Sequence, residues 1–258
     1  MRAVKLVVLA LLMFSGSCYA EIKSIEQAIN VTSNQGMLTQ QMLKNYILMG
    51  LSVRARKAEQ ELHKAIDSYE AAQEEIQGYA KTDAVRDSLR RASAQWQVVK
   101  PLYAQNPSRT DAERVRQETE LLLQLWSAVT MEIVENTDTK YGKAISTAGF
   151  IRMLSQRVSS HYALKTWGFE DKYQEAFVSS LQLFEQNRQE LEGSQLNNEQ
   201  IKSELNKIQR DFKRFKGLSD GETSSNKALL ALLTRSAEKI TVSMDKLTAM
   251  YMYQGLSF

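Results

Sequence analysis

One stretch of the chain occurs twice. Residues 29–48 read INVTSNQGMLTQQMLKNYIL, and residues 145–164 read ISTAGFIRMLSQRVSSHYAL. Ile29, Met37, Leu38, Gln40, Tyr46 and Leu48 reappear unchanged, 116 positions later, as Ile145, Met153, Leu154, Gln156, Tyr162 and Leu164. Thr39 has Ser155 as its counterpart. The echo continues at a spacing of 115, where Leu62, Ile66, Tyr69, Ile76 and Gly78 are answered by Phe177, Leu181, Phe184, Leu191 and Gly193. It returns to 116 for Val85, Leu89, Trp96, Val99 and Leu102, answered by Ile201, Leu205, Phe212, Phe215 and Leu218. Apolar positions recur while surface residues differ, as expected of duplicated units with equivalent cores.

The units are helical. With 11 Gly and 2 Pro in 258 residues, the chain has few of the turn residues that a sandwich or an α/β fold needs. Apolar spacings of three and four, as in Val85, Leu89, Ala92, Trp96 and Val99, mark amphipathic helices. The first unit reads as helices over roughly 23–52, 54–78, 82–104 and 109–137, with breaks near Gly50, Gly78 and Pro101 to Pro107. The second reads as 140–167, 169–193, 197–217 and 221–253, with breaks at Gly168, Gly193 and Gly217 to Gly221. Ser108 before Asp111, and the Asn197-Asn198-Glu199 start, provide caps. Short connections favour antiparallel neighbours. The expected architecture is all-α: two tandem antiparallel four-helix bundles, 21–137 and 138–258, after a leader. Whether residues 136–142 turn or continue as one helix stays open.

Residues 1–20, MRAVKLVVLALLMFSGSCYA, have the layout of a secretory signal peptide. Arg2 and Lys5 precede the apolar run Leu6 to Phe14, and Ala20 marks the cleavage point. The competing reading is a lipoprotein signal acylated at Cys18, although Ser15 stands where leucine is usual. Cleavage after Ala20 leaves a mature chain without cysteine, with a formal charge of +1 rather than +3, suited to an oxidising periplasm. No later apolar stretch of about 18 residues offers a membrane span. Interleaved charges give no nucleic-acid footprint.

Residues 143–158, KAISTAGFIRMLSQRV, carry a resemblance. The pattern is Ile145, Ala148-Gly149, Arg152-Met153 and a second arginine, Arg157. It resembles the first helix of the type IV pili methyl-accepting chemotaxis transducer N-terminal (PilJ-type) domain, and the related helix of the NarX/NarQ nitrate/nitrite sensors. The resemblance implies a periplasmic helical bundle that dimerises through this helix. It makes Arg152 the residue that meets a small anion such as nitrate or nitrite at the dimer axis. In the first unit Ser33, Gly36 and Gln41 stand where Gly149, Arg152 and Arg157 do, so one chain cannot supply a symmetric arginine pair.

A helical wheel of about 100° per residue places Ile151, Leu154, Ser155, Val158 and Tyr162 on one side, facing a core. Ile145, Gly149, Arg152, Gln156, Ser159 and Ala163 share an adjacent side of small residues around one cation. The first unit matches it with Ile29, Ser33, Gly36, Gln40 and Ile47. Small residues allow close helix approach, and an arginine there needs an acceptor that a planar oxyanion can provide. The expectation is that the two motif helices meet within one chain, imitating a homodimer, with Arg152 facing Gly36. Gly149, Gln156 and Arg157 complete the candidate ligand-binding set. The bland alternative has Arg152 and Arg157 solvated or paired with carboxylates.

Other chemistry finds little support. His63 and His161 with ten methionines could suggest haem, but no C-x-x-C-H is present, and methionine at helical spacing is core filler. No Glu-x-x-His, phosphate loop or nucleophile elbow occurs. No metal or cofactor is expected, and no enzyme activity. Trp96, Trp126 and Trp167 read as packing residues, as does the C-terminal MYMYQGLSF. The sequence thus suggests a periplasmic small-ligand sensor that signals through a separate membrane-bound transducer. Its alternative is an envelope adaptor without a small ligand.

Overall fold

The structure, a computed structural model, describes residues 22–137, 139–219 and 226–255. The expected leader, with Arg2, Lys5 and Cys18, lies outside the described residues. The chain is all-α. Among the described residues there are eight α-helices: α1 (Ile25–Gly50), α2 (Ala55–Tyr79), α3 (Asp83–Tyr103), α4 (Arg109–Glu135), α5 (Gly142–Leu164), α6 (Glu170–Glu192), α7 (Glu199–Ser219) and α8 (Lys227–Gly255). A short π-helical segment, Lys165–Phe169, joins α5 to α6. No helix among the described residues is long and apolar enough to cross a membrane.

Local chemistry sets the ends. Ser24 and Gln27 form a reciprocal capping box at α1. Thr82 accepts from the Val85 amide, Ser108 from Asp111, Asn198 from Ile201, and Asn226 from Ala228 and Leu229. Two expected breaks work differently. Pro101 lies inside the last turn of α3, which ends at Tyr103. There the proline forfeits only its own amide bond, near an end already due to fray. At the first break the left-handed residues are Ser52 and Arg54, with φ of 57° and 50°. Gly50 serves close approach instead, since a Cβ there would lie 2.2 Å from the Trp167 ring. Gly168 does carry its turn, with φ of 94°.

Within each half, neighbours run antiparallel. Gly36 of α1 faces Leu123 of α4, and Tyr46 near the end of α1 meets Ser108 at the start of α4. Glu70 of α2 meets Trp96 of α3, and Gln95 of α3 meets Glu118 of α4. In the second half Arg152 of α5 meets Asp245 of α8, Tyr162 of α5 meets Phe177 of α6, and Glu204 of α7 meets Lys246 of α8. Trp96 and Trp126 are buried around Tyr69, whose hydroxyl accepts from Trp126 Nε1 at 2.7 Å. Phe184 stacks on Phe212 at 4.2 Å. Tyr251, from the C-terminal segment, is buried and donates to Asn197.

The halves meet through α1 and α5, which make the most extensive helix contact among the described residues. Glu26 meets Thr139, Ser33 meets Gly149, Gln40 meets Ser160 and Lys44 meets Gln156. The offsets between partners, 113, 116, 120 and 112, scatter about the repeat spacing of 116 without trend, so α1 and α5 run parallel and in register. The chain therefore reverses between α4, which ends at Glu135, and α5, which begins at Gly142, rather than continuing as one long helix. Ser33 and Gly149 are equivalent positions of the repeat, and they touch each other. That contact marks a pseudo-two-fold axis running along the helices. Both α1 and α5 are buried on nearly all sides, so both wheel faces of α5 lie in the interior.

The approach at Ser33 and Gly149 leaves no room for a methyl group. An ideal Cβ on Gly149 would lie 2.3 Å from Ser33 Cβ. Gly149→Ala should destabilise by about 1–3 kcal/mol despite its better helix propensity. Gly78→Ala, with nothing within 4 Å of the added carbon, should be neutral or gain up to about 1 kcal/mol. Urea unfolding midpoints of the two variants check the contrast.

Candidate functional site

The seam between α1 and α5 is polar. Gln156 accepts from Lys44 Nζ at 2.7 Å and donates to Thr241 Oγ1 at 2.8 Å. Thr241 is also bonded to Ser155, at 2.9 Å. Ser160 donates to Gln40 at 3.4 Å. Because Gln40 and Lys44 are the repeat equivalents of Gln156 and Ser160, the two cross-seam bonds are pseudo-symmetric copies of one arrangement. They differ in that one copy uses a lysine and the other a serine.

Arg152 lies at this seam and is 3% exposed. Nη1 donates to Asp245 of α8 at 2.6 Å, and Nη2 donates to Asn30 of α1 at 2.9 Å. Nε is buried with no partner. The guanidinium thus touches its sister helix, but through Asn30 rather than Gly36. Gly36 opens on the other side of the seam, toward Leu123 of α4. Arg157 pairs with Glu120 of α4 at 2.9 Å and is half-buried. Both motif arginines therefore have carboxylate partners. Gly149 is the closest-approach point and Gln156 the hub of the seam's hydrogen bonds. The five candidate residues do not converge on one point. Arg152, Gly149 and Gln156 share the seam, Gly36 opens on its α4 side, and Arg157 reaches α4 separately.

Lys44 was not singled out, yet it is wholly buried, with only Gln156 as its hydrogen-bond partner. Its position four residues after Gln40 placed it on the seam side of the wheel, so the signal was present. Asp245 had no such signal, because the fourth helices of the two units align poorly. A 240 Å³ cavity also opens beside the seam, between α1, α4 and α5. Its walls include Thr32, Ser33, Gly36, Trp126, Ser146 and Gly149.

His63 lies on the exposed face of α2, whereas His161 is buried against Ser180 and Tyr173. They are not neighbours, and no group of three metal-ligating side chains forms among the described residues. No protein-family model, curated protein or solved structure matches this chain.

Burial governs the titration of the two interior bases. It pulls the Lys44 ammonium from 10.5 down to about 8. Burial first, then the cations Arg157 and Arg116, push the His161 imidazole from 6.5 down to about 3. Between pH 8 and 10 the unfolded chain holds a proton on Lys44 that the folded chain has begun to lose, so stability should rise with pH. Between pH 6.5 and 3 the unfolded chain protonates His161 first, so stability should fall as pH falls. Urea midpoints across both ranges should show these slopes. Lys44→Met should flatten the first and His161→Gln the second.

Proposed function

We propose that the chain is a ligand-binding sensory module of the cell envelope, made of two tandem antiparallel four-helix bundles spanning 21–137 and 138–258. Ligand recognition is assigned to the seam of the two motif helices, around Arg152. The observation that carries the reading is a buried arginine at the contact of two equivalent helices in parallel register. In a two-chain sensor the same contact would be a homodimer interface. Here one polypeptide supplies both sides, which fits the resemblance of residues 143–158 to the PilJ-type and nitrate-sensor helix. A separate membrane-bound transducer would receive the signal.

A small anion such as nitrate or nitrite reaches Arg152 only by exchange. The Asp245 carboxylate already occupies one face of the guanidinium, and a second anion beside it would be repelled. Asp245 is half exposed, with 49% of its side chain accessible, so it can swing into water. The freed Nη1, with Nη2 beside it, then presents an end-on pair of donors to a planar oxyanion. Binding would cut the tie between α5 and α8 and so reach the C-terminal helix.

Titration with nitrate and nitrite, read as a shift in melting temperature, tests this. A ligand at about 100 times its Kd adds about 2.7 kcal/mol, a shift of several degrees. Arg152→Ala should abolish the shift. Asp245→Asn should enlarge it, because the competing charge is gone while the shape is kept. If neither the native chain nor Asp245→Asn responds to any small oxyanion, the adaptor reading stands. One observation already favours that reading: Asp245 and Asn30 satisfy Arg152 as a purely structural partner set.

A further inference from the structure

The repeat relates Gly36 to Arg152 and Asn30 to Ser146, each 116 positions apart. On the α8 side of the seam, Arg152 extends between the helices and reaches Asn30. On the α4 side the equivalent positions are Gly36 and Ser146, and both line the 240 Å³ cavity. The cavity therefore lies where a second arginine would have been. Glycine at the position equivalent to Arg152 leaves a chamber where the other flank has a charged contact.

The chamber has a distinct chemistry. Trp126, Met131, Phe150 and Met153 give it apolar walls, and no charged side chain lines it. The hydroxyls of Thr32, Ser127 and Thr130 are bonded to carbonyls of their own helices. Ser33 differs. It lines the cavity and is 9% exposed, and its hydroxyl, packed toward Gly149 and closed off from the cavity space, has no partner. A buried hydroxyl without a partner is costly and ordinarily finds one.

We propose that this cavity binds a small uncharged ring compound bearing one hydroxyl, seated against Trp126 and hydrogen-bonded to Ser33 Oγ, which turns from Gly149 into the cavity by a change of χ1 rotamer. The size fits: an apolar cavity of about 150 Å³ is enough to hold benzene. The absence of a counter-ion selects against charged ligands, which would lose their hydration without compensation. Trp126 and Phe150 offer aromatic surface to a ring, and Ser33 rewards a hydroxyl over a plain hydrocarbon. Met131, with 57% of its surface exposed, places an apolar group at the mouth. This site does not depend on anion binding at Arg152, which lies outside the cavity wall.

Calorimetric titration of the native chain with phenol, toluene and benzoate tests the assignment. Phenol should bind, toluene should bind about tenfold more weakly, and benzoate should give no heat. Ser33→Ala should erase the advantage of phenol while keeping toluene binding. Gly36→Met should fill the chamber and abolish both. Ser127→Phe, which fills it from α4, does the same if the first variant fails to fold. Absence of phenol binding, unchanged phenol binding in a folded cavity-filled variant, equal binding of benzoate, or no preference for phenol over toluene would each overturn the proposal.

Discussion

The close approach of α1 to α5 at Ser33 and Gly149 governs the rest of the molecule. A Cβ on Gly149 would meet Ser33 at 2.3 Å, so the separation of the helices is set by backbone and one small side chain. At that separation, side chains on either side of the contact are aligned across the seam. Gln156 reaches Lys44, Gln40 reaches Ser160, and Arg152 reaches Asn30. Each is a short-range polar contact that a larger residue at position 149 would pull apart. The polar bonds do not hold the helices together by themselves, because each exchanges hydration for a partner at small net gain. Burial of the flanking apolar residues does that. The polar pairs specify which register is allowed, since a slip of one turn would leave Lys44 buried without an acceptor.

Duplication also explains why the seam is lopsided. A homodimer must place the same residue on both sides of its axis, because the two chains share one sequence. A fused pair is free of that constraint. The second unit keeps Arg152, and Asp245 comes from the neighbouring α8 to neutralise it. The first unit has Gly36 at the equivalent position. Two arginines flanking one axis would repel unless an anion lay between them or each had its own counter-charge. With a single arginine, one internal carboxylate suffices, and the opposite flank becomes uncharged. Lys44 opposite Gln156, against Gln40 opposite Ser160, repeats the same kind of divergence nearer the other end of the seam.

Much of the fold was legible because helices announce themselves locally. The caps at Ser108 and Asn198 and the 3–4 spacing of Val85, Leu89, Trp96 and Val99 depend only on neighbours in sequence. The meeting of the two motif helices was legible too, since Ser33, Gly36 and Gly149 are too small to occupy a buried face unless another helix comes close. The direction of Arg152 was not. Its wheel position placed it on the seam side but could not choose between α4 and α8, which flank the seam on opposite sides. Asp245 decides that choice, and it sits in the part of the repeat that diverged most. The role of Gly50 was likewise hidden, because a glycine near a turn looks the same whether it bends the chain or admits an indole ring.

The two flanks of the seam are mechanically linked through one element. Gly36 and Ser33 on α1 line the cavity, and Asn30, two turns away or less on the same helix, holds Arg152. On α5, Met153 lines the cavity while the adjacent Arg152 ties the helix to α8. A ligand that wedges α1 from α4 can relieve strain most easily by rolling α1 about its contact with Gly149, because that contact is a small-residue pivot rather than an interlocked one. Such a roll would change the reach from Asn30 to Arg152 before it disturbed the apolar cores around Trp96 and Phe184, which lie within the separate halves. Asp245 is the most exposed member of the linked set, yet its departure strips a buried guanidinium of its counter-charge, so it yields only where another anion takes its place. The seam therefore joins an uncharged chamber on one flank to a buried guanidinium and its carboxylate from α8 on the other.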